Sequence, residues 1–232
     1  MISCGLWSSV RKSHMTRVVK SKSKRAALHV PAEVGKREAN KEDKRERIRE
    51  AAFELFLEHG VGGTKLADVA ERAGVAKGTL FLYASDKEDL VCMVMHERLA
   101  VAVERAFRTL PRGVPVLEEL VHVFGLLLRT YGETPDLAST FVRALGTAGG
   151  PNGKRMAALT YSFLHQLGSL LHTAKGRGEV AQDIDVLAAA QNLFALYFAA
   201  IISWLGGYGT LEDAIDKHLR TSLALQLRGL AH

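Results

Sequence analysis

Between Thr64 and Tyr83, two short segments with helical apolar spacing flank a tight turn, and this pattern constrains the fold most. In the first segment the inward positions are Leu66, Val69 and Ala70. The turn is Ala73-Gly74-Val75, where Gly74 can adopt a positive φ that a β-branched residue resists. Two short helices joined in this way are typical of a helix-turn-helix module.

Longer helices are predicted on both sides of this pair. Asn40 can cap a helix that ends at Gly60, after an apolar repeat with helical spacing. Ser85 and Glu88 have the spacing of a capping box, which predicts the start of a fourth helix running toward Phe107.

Positive charge is concentrated at the N-terminus. The 232-residue chain has a formal net charge of +6. Residues 1–40 hold nine Lys or Arg and two Glu, whereas residues 101–232 hold twelve basic and eleven acidic side chains. We therefore expect residues 1–40 to form a flexible basic arm, which either neutralises phosphates or is a solvated leader. Ser13-His14-Met15 is typical of an alternative start or a cloning remnant, so residues 1–14 are not expected to contribute to the fold.

Cysteine usage indicates a reducing compartment. Cys4 and Cys92 cannot build a disulfide framework, and no Cys/His cluster has zinc-ligand spacing. No apolar stretch of signal-peptide length follows the first arginines. The sequence thus predicts a cytoplasmic protein with no metal and no cofactor. Cys92 lies close to Met93 and Met95, which favours a packing role, with redox sensing as the alternative.

The remainder of the chain has helical spacing interrupted by Gly- and Pro-containing breaks, with no useful strand-like alternation. The predicted helices are Val116–Tyr131, Asp136–Ala148, Arg155–Ala174, Val186–Leu211 and Leu211–Leu230, with a loop at Gly149–Gly153. The predicted fold is all-α: a three-helix helix-turn-helix module joined by a long helix to a C-terminal helical domain. The predicted division is 1–40 (arm), 41–90 (helix-turn-helix module) and 91–232 (C-terminal helical domain).

The sequence TKLADVAERAGVAKGTLFLY (residues 64–83), followed by KEDL (residues 87–90), resembles the tetracycline-repressor (TetR) family of transcriptional regulators. The resemblance covers about residues 44–90. It implies that the third helix enters the major groove and that dimers read inverted repeats. It also implies a helical C-terminal domain that dimerises and binds a small molecule, which releases the DNA.

The resemblance also suggests which residues meet DNA: Thr64, Lys65, Lys77, Gly78, Thr79, Phe81, Tyr83 and Lys87. Lys87 matches a lysine that contacts phosphate, and the Tyr83 hydroxyl matches another phosphate-contacting position. Gly78 and Thr79 match a Gly-Thr pair where the missing glycine side chain permits close approach to the duplex.

Three further positions differ from the family pattern or add to it. Phe81 replaces a usual tyrosine, so its phenolic contact is lost. Lys65 replaces the second threonine of a common pair and adds positive charge near the DNA backbone. Lys77 is the candidate for a base edge, such as guanine O6 and N7.

Aromatic residues spread over four predicted helices suggest a ligand pocket between them: His122, Phe124, Tyr131, Phe141, Tyr161, His165, Phe194 and Tyr197. Ordinary core packing is the alternative for each of them. The pocket predicts a largely apolar effector, and Arg143 would favour an anionic group if it pointed inward.

Residues 186–211 carry no charge, which is also true of many membrane-spanning helices. Polar and small residues interrupt the segment and basic flanking residues are missing, which favours a helix at a dimer interface. The predicted interface residues are Ala188, Asn192, Ala195, Ala199 and Ser203, with Ile215, Leu219, Ser222, Leu223 and Gln226 from the last helix.

We therefore expect a homodimeric repressor that binds an inverted-repeat operator and is released by a small apolar effector. Two alternatives remain: an architectural DNA-binding protein without an effector, and a membrane-tethered regulator. Catalysis is not expected, since Glu119 and His122 form one Glu-x-x-His pair, whereas a di-iron bundle needs two such pairs and further carboxylates.

Overall fold

The computed structural model of the protein describes residues 32–146 and 149–231, and there every regular element is a helix. The elements in chain order are α1 (Ala32–Gly63), α2 (Leu66–Arg72), α3 (Lys77–Leu80), α4 (Lys87–Arg108), α5 (Val116–Gly132), α6 (Pro135–Ala144), α7 (Pro151–Gly176), α8 (Val186–Leu205), a π-helical segment (Asp213–Leu219) and α9 (Arg220–Ala231). The all-α prediction is confirmed.

Helices α1 to α3 form the predicted three-helix module. Gly60 interrupts α1 with a φ of 69°, and Gly74 adopts a φ of 63° in the turn between α2 and α3. Both values lie in the left-handed region, where glycine is favoured. Residues 32–40 belong to α1, although the sequence predicted them as part of the flexible arm. The rest of the arm, including the segment Ser13-His14-Met15, lies outside the described residues.

The start of α4 differs from the predicted capping box by one residue. Asp86, not Ser85, is the cap, and its Oδ1 accepts a hydrogen bond of 2.7 Å from the Asp89 backbone N–H. Ser85 instead donates its own backbone N–H to Asp89 Oδ2 at 3.1 Å. The residue three positions after the true cap is therefore Asp89, and its carboxylate takes the role that the sequence gave to Glu88.

Helix α7 starts earlier than predicted. The segment Gly149–Gly153 was predicted as a loop, but α7 begins at Pro151. Proline suits the first turn of a helix, because its φ is already helical and its missing N–H has no partner to lose there. Pro151 therefore indicated the start of a helix, while the glycines before it indicated a loop.

Helix α4 joins the module to the rest of the chain. It packs against α1 on one side and against α5, α6 and α7 on the other. Eleven of its residues are buried, among them a continuous run from Asp89 to Met95. Because one helix belongs to both cores, movement of the C-terminal helices can reach the module through it.

Candidate nucleic-acid interface and ligand cavity

The third helix presents a polar and apolar surface to solvent. Leu80 is fully buried and anchors α3 to the module core, while Lys77 and Gly78 are exposed. A side chain at Gly78 would meet nothing within 4 Å, so this surface is open to a close-approaching partner. Phe81 is 45% exposed and Leu82 78% exposed. Exposed apolar side chains that follow such a helix can contact thymine methyl groups, and Leu82 was not among the predicted contacts.

Two of the predicted lysines lie beside this surface. Lys65 is exposed at the start of α2. Lys87 is half-buried at the start of α4, and its Nζ donates to the Gly62 carbonyl at 3.1 Å. The ammonium group is thus held near the end of α1, and its other N–H donors are free to bind a phosphate. The contact between Lys87 and phosphate stays a prediction.

Tyr83 and Thr79 are less accessible than the lysines. Tyr83 is only 7% exposed, and the guanidinium of Arg45 lies 5.8 Å from its ring centroid. Thr79 is half-buried. Contacts of these two residues with DNA remain predictions, and both also have a packing role in the module.

Thr64 is placed differently from the other predicted DNA contacts. It is 1% exposed, and its hydroxyl lies 3.0 Å from the Leu55 carbonyl and 2.8 Å from the Gly60 carbonyl, as a donor to both. A buried hydroxyl paired in this way fastens the end of α1 and is not free to meet a phosphate. Lys65 occupies the N-cap position of α2.

We expect Thr64→Val to lower stability without weakening DNA binding directly. Valine matches the shape of threonine but leaves the two carbonyls with one hydrogen bond fewer, a loss of about 1–3 kcal/mol. Urea unfolding measures the stability, and fluorescence anisotropy with a labelled operator measures the affinity. A large loss of operator affinity at unchanged stability would restore Thr64 as a direct contact.

A small apolar cavity of about 60 Å³ lies between α4, α5, α6, α7 and α8. Four of the predicted effector residues line it: Tyr131, Phe141, Phe194 and Tyr197. The other lining residues were not predicted: Leu99, Val103, Leu127, Leu145, Met156, Leu159, Thr160, Phe163 and Phe198. Their helical spacing marks them as core, but nothing in the sequence separates cavity-lining positions from filled ones.

The other four predicted effector residues do not line this cavity, although Tyr161 lines a surface pocket beside it. Phe124 is fully buried and stacks on Tyr197 with ring centroids 5.0 Å apart, just behind the cavity wall. Tyr161 and His165 contact each other on the exposed side of α7. The Nε2 atom of His122 lies 3.2 Å from the Ala106 carbonyl oxygen, against the end of α4. Arg143 is exposed, with guanidinium hydrogen bonds to its own helix, and does not point inward.

The polar groups of the cavity are mainly two tyrosine hydroxyls. Burial raises the pKa of Tyr131 and of Tyr197 well above their usual range, so both remain neutral at any physiological pH. The two hydroxyls are near enough to affect each other's pKa, but the Tyr197 hydroxyl makes no hydrogen bond of normal geometry to any described residue. A buried hydroxyl without a hydrogen-bond partner is unfavourable, and it can donate to a ligand that brings an acceptor.

A second, open pocket of about 290 Å³ adjoins the cavity on the α7 side. The two spaces share three lining residues, Leu145, Met156 and Thr160. Movement of these side chains would join the cavity to the surface pocket. The combined site would be elongated and mostly apolar.

Helix α8 carries the predicted stripe of small residues on its outer side. Ala188, Asn192, Ala195 and Ala199 are exposed and Ser203 is half-buried. Large apolar side chains near this end of the chain are also exposed: Ile202, Tyr208 and Leu225. Small residues permit close approach of another helix, so this surface is the candidate dimer interface.

The prediction for the last helix needs correction at three positions. Ile215, Leu219 and Leu223 are buried within the subunit, because this part of the chain packs on α5 and α8. They are therefore not available to a second subunit. Ser222 and Gln226 are half-buried and remain candidates, and Leu225, which was not predicted, is 60% exposed.

In the part of the chain that the structure describes, α8 alone is long and apolar enough to cross a membrane. A core helix of a globular protein passes the same test, since length and apolar composition are common to both. Leu193, Tyr197 and Ile201 are buried on its inner side. The helix therefore has an inner packing face and an outer small-residue face, which fits a subunit interface.

The Glu-x-x-His pair is engaged in structural contacts. Glu119 is 6% exposed and accepts from Arg177, with 2.8 Å between Oε2 and Nη2. The His122 ring lies beside the Ala106 carbonyl and the Thr109 hydroxyl. Over residues 32–146 and 149–231, no group of His, Cys, Asp and Glu is arranged to hold a metal ion.

Cys92 is buried at the start of α4, and burial, helped by Asp89 and Asp86, raises the pKa of its thiol to about 11. At pH 8 such a thiol is about 0.1% thiolate, so it reacts slowly.

We expect iodoacetamide at pH 8 to leave Cys92 unlabelled in the folded protein and to label it fully in urea. Mass spectrometry of the Cys92 peptide measures this, and fast labelling of the folded protein would favour the redox-sensing alternative.

The architecture and the exposed third helix together define a helix-turn-helix DNA-binding protein. Residues 48–92 match the family described as "Bacterial regulatory proteins, tetR family". The HTH-type transcriptional regulator TtgR of Pseudomonas putida is 33% identical over 187 residues, covering 75% of this chain and 84% of TtgR. The chain therefore belongs to the TetR family, and it is a DNA-binding transcriptional regulator.

Two further relatives extend the similarity into the C-terminal helices. The fatty acid metabolism regulator protein of Bacillus subtilis (strain 168) is 24% identical over 158 residues, which cover 68% of this chain and 81% of that protein. The solved structure of Thermus thermophilus FadR, a TetR-family repressor in complex with lauroyl-CoA, has a TM-score of 0.59 and 26% identity. The match covers 80% of this chain and 92% of that chain.

Proposed function

We propose that the protein is a dimeric repressor whose effector is a molecule with a long apolar chain, of the fatty acyl thioester class. Residues 41–90 bind an inverted-repeat operator, and residues 91–232 bind the effector and form the dimer. The arm, residues 1–40, adds positive charge next to the DNA. The protein acts as a cytoplasmic regulator and not as an enzyme.

The observation that carries the proposal is the apolar cavity beside the α7 surface pocket. Its walls are aliphatic and aromatic side chains from five helices, and its free polar atom is the Tyr197 hydroxyl. A lipid chain fits such walls, and one carbonyl oxygen could accept from Tyr197. The lauroyl-CoA complex of Thermus FadR and the name of the Bacillus relative support the same ligand class.

The cavity is small in this structure. At about 60 Å³ it is far below the roughly 300–1,000 Å³ of a typical ligand site. An effector must therefore displace side chains, and Met156 and Leu145 lie between the cavity and the surface pocket. Because the packed helices resist small deformations, filling the site shifts them as units and so changes the position of α4.

The proposal is tested by selecting bound duplexes from a random pool and then titrating the complex with candidate effectors. We expect a twofold-symmetric consensus and release by lauroyl-CoA or stearoyl-CoA at micromolar concentration, with no release by CoA alone. A consensus without symmetry would contradict the operator assignment. Retention of the complex in all acyl-CoA titrations would contradict the effector class.

The matched variant for this experiment is Tyr197→Phe. It removes the unpaired hydroxyl and keeps the ring, so the free protein should be as stable as the wild type or more stable by about 1 kcal/mol. The acyl-CoA concentration needed for release should rise about tenfold, because the variant cannot donate to the thioester carbonyl. Thermal unfolding and anisotropy measure the two effects, and unchanged release would remove Tyr197 as the anchor.

A further inference from the structure

The first turn of α7 is fastened to the first turn of α4 by one buried carboxylate. Asp89 is fully buried, and its Oδ1 accepts from the backbone N–H groups of Asn152 at 2.9 Å and Gly153 at 3.2 Å. Its Oδ2 accepts from Asn152 Nδ2 at 3.0 Å and from the Ser85 N–H. Asp89 therefore caps α7 from another helix, where the positive end of the helix dipole also favours a carboxylate.

Asn152 connects α7 to two more parts of the DNA-binding module. It is 1% exposed, and its Nδ2 also donates to the Tyr83 carbonyl at 2.8 Å. Its Oδ1 accepts from Nη1 of Arg45 at 3.2 Å. One asparagine side chain on α7 thus contacts α1, the end of the recognition segment and α4.

The contact leaves no spare room. A Cβ atom at Gly150 would lie 2.3 Å from Cγ of Asp89, so any side chain there forces the two helix starts apart. We call these contacts, made by Asp89, Gly150, Asn152 and Gly153, the α4–α7 junction. Separating it would leave the Asp89 carboxylate and several backbone N–H groups without their partners, which favours the closed junction.

The same helix forms a wall of the ligand cavity. Met156 lies one turn after Asn152, a rise of about 6 Å, and Leu159 and Phe163 follow on the cavity side. Met156 also lines the surface pocket that adjoins the cavity. Any ligand that enters by this route displaces the turn of α7 adjacent to the junction.

We propose that Asp89 and Asn152 are positioning residues that transmit effector binding to the DNA-binding module. With the cavity empty, the junction holds the module in the orientation that fits the operator. Effector entry moves the start of α7 outward, separates Asn152 from Asp89, and releases the module from that orientation. This inference rests on the proposed function, since it assumes that an effector occupies the cavity.

Two variants open the junction by different means. Asn152→Ala removes the side-chain hydrogen bonds, and Gly150→Ala adds a methyl group against Asp89 at a φ of −75°, which alanine adopts without strain. For each variant we would measure lauroyl-CoA affinity by calorimetry, and operator affinity with and without saturating lauroyl-CoA.

We expect both variants to bind lauroyl-CoA at least as well as the wild type. Their operator affinity without lauroyl-CoA should fall about tenfold relative to the wild type. Adding lauroyl-CoA should then lower the operator affinity of each variant by less than about threefold. In the wild type the same addition should lower it by roughly 5- to 150-fold, the usual range of coupling between two sites. Wild-type coupling in both variants would overturn the inference.

Two control variants separate coupling from general instability. Gly146→Ala changes a glycine in the same connection whose added Cβ would meet nothing within 4 Å. Glu119→Gln weakens the ion pair between the buried Glu119 and the exposed Arg177 at the far end of α7, and lowers stability without touching the junction. Both should keep the wild-type response, and loss of response in Glu119→Gln would mean that instability alone explains the effect.

A test without ligand separates failure of this inference from failure of the proposed effector. Leu127→Trp overfills the cavity from α5, opposite α7, and should weaken operator binding by pushing the start of α7 outward. If the junction transmits that push, Gly150→Ala added to Leu127→Trp weakens binding no further. Additive losses in this double-mutant cycle would overturn the inference, even if no acyl-CoA binds the wild type.

Discussion

Ala199→Glu should convert the protein to a monomer and weaken operator binding by at least about 100-fold, because both half-sites must be held by one dimer. Ala199 is an exposed member of the small-residue stripe of α8. In a twofold interface this position meets its own copy or a close neighbour, so the substitution places two carboxylates in a tight apolar contact. Light scattering would measure the mass, which for one chain is 25.3 kDa.

The matched control for this variant is Ala158→Glu, on the exposed side of α7. It introduces the same side chain into another helix of the same domain, beside Lys154 and Arg155. We expect this protein to stay dimeric with unchanged operator affinity. A dimeric Ala199→Glu protein would show that the subunits meet elsewhere.

Lys77→Ala should weaken binding to the preferred operator by roughly 30-fold or more, since a dimer loses two base contacts worth about 1–3 kcal/mol each. Lys77 is exposed at the start of α3, the position from which a recognition helix reads base edges. Selection from a random pool should show relaxed preference at one position in each half-site. An unchanged consensus would mean that Lys77 does not read a base.

Lys87→Ala provides the contrast within the same module. It should weaken binding to every DNA sequence by the same factor. The slope of log affinity against log salt concentration should become less negative by about 1.8, because each dimer loses two phosphate contacts. Its bond to the Gly62 carbonyl is solvent-exposed, so folding should change little. Loss of specificity without a change in salt slope would reverse the roles of the two lysines.

The sequence was most informative where local chemistry determines local structure. Gly60 and Gly74 marked a helix end and a turn, and both adopt a positive φ, which was predicted for Gly74. Helical spacing also placed the inward residues of the module correctly, for example Val69, which is fully buried. These signals act over a few residues, so they do not depend on how the helices are arranged.

Contacts between distant segments were not predictable in this way. The family resemblance placed Thr64 among the DNA contacts, yet its hydroxyl lies within hydrogen-bond distance of two carbonyls of α1. Asp89 and Asn152 are 63 positions apart, and the segment around Asn152 was predicted as a loop. Leu219 and Leu223 formed an apolar face, but spacing alone does not say whether such a face meets its own subunit or a second one.

The continuity of α4 makes it a lever arm. From Leu99, which lines the cavity, to Lys87 at its first turn the helix rises about 18 Å at 1.5 Å per residue. Tilting it by about 10° around the cavity end moves Lys87 by roughly 3 Å, and the twofold axis doubles this to roughly 6 Å between subunits. Half-sites in successive major grooves are about 34 Å apart. A rotation of about 10° within each subunit is therefore enough to separate the two recognition helices from this spacing.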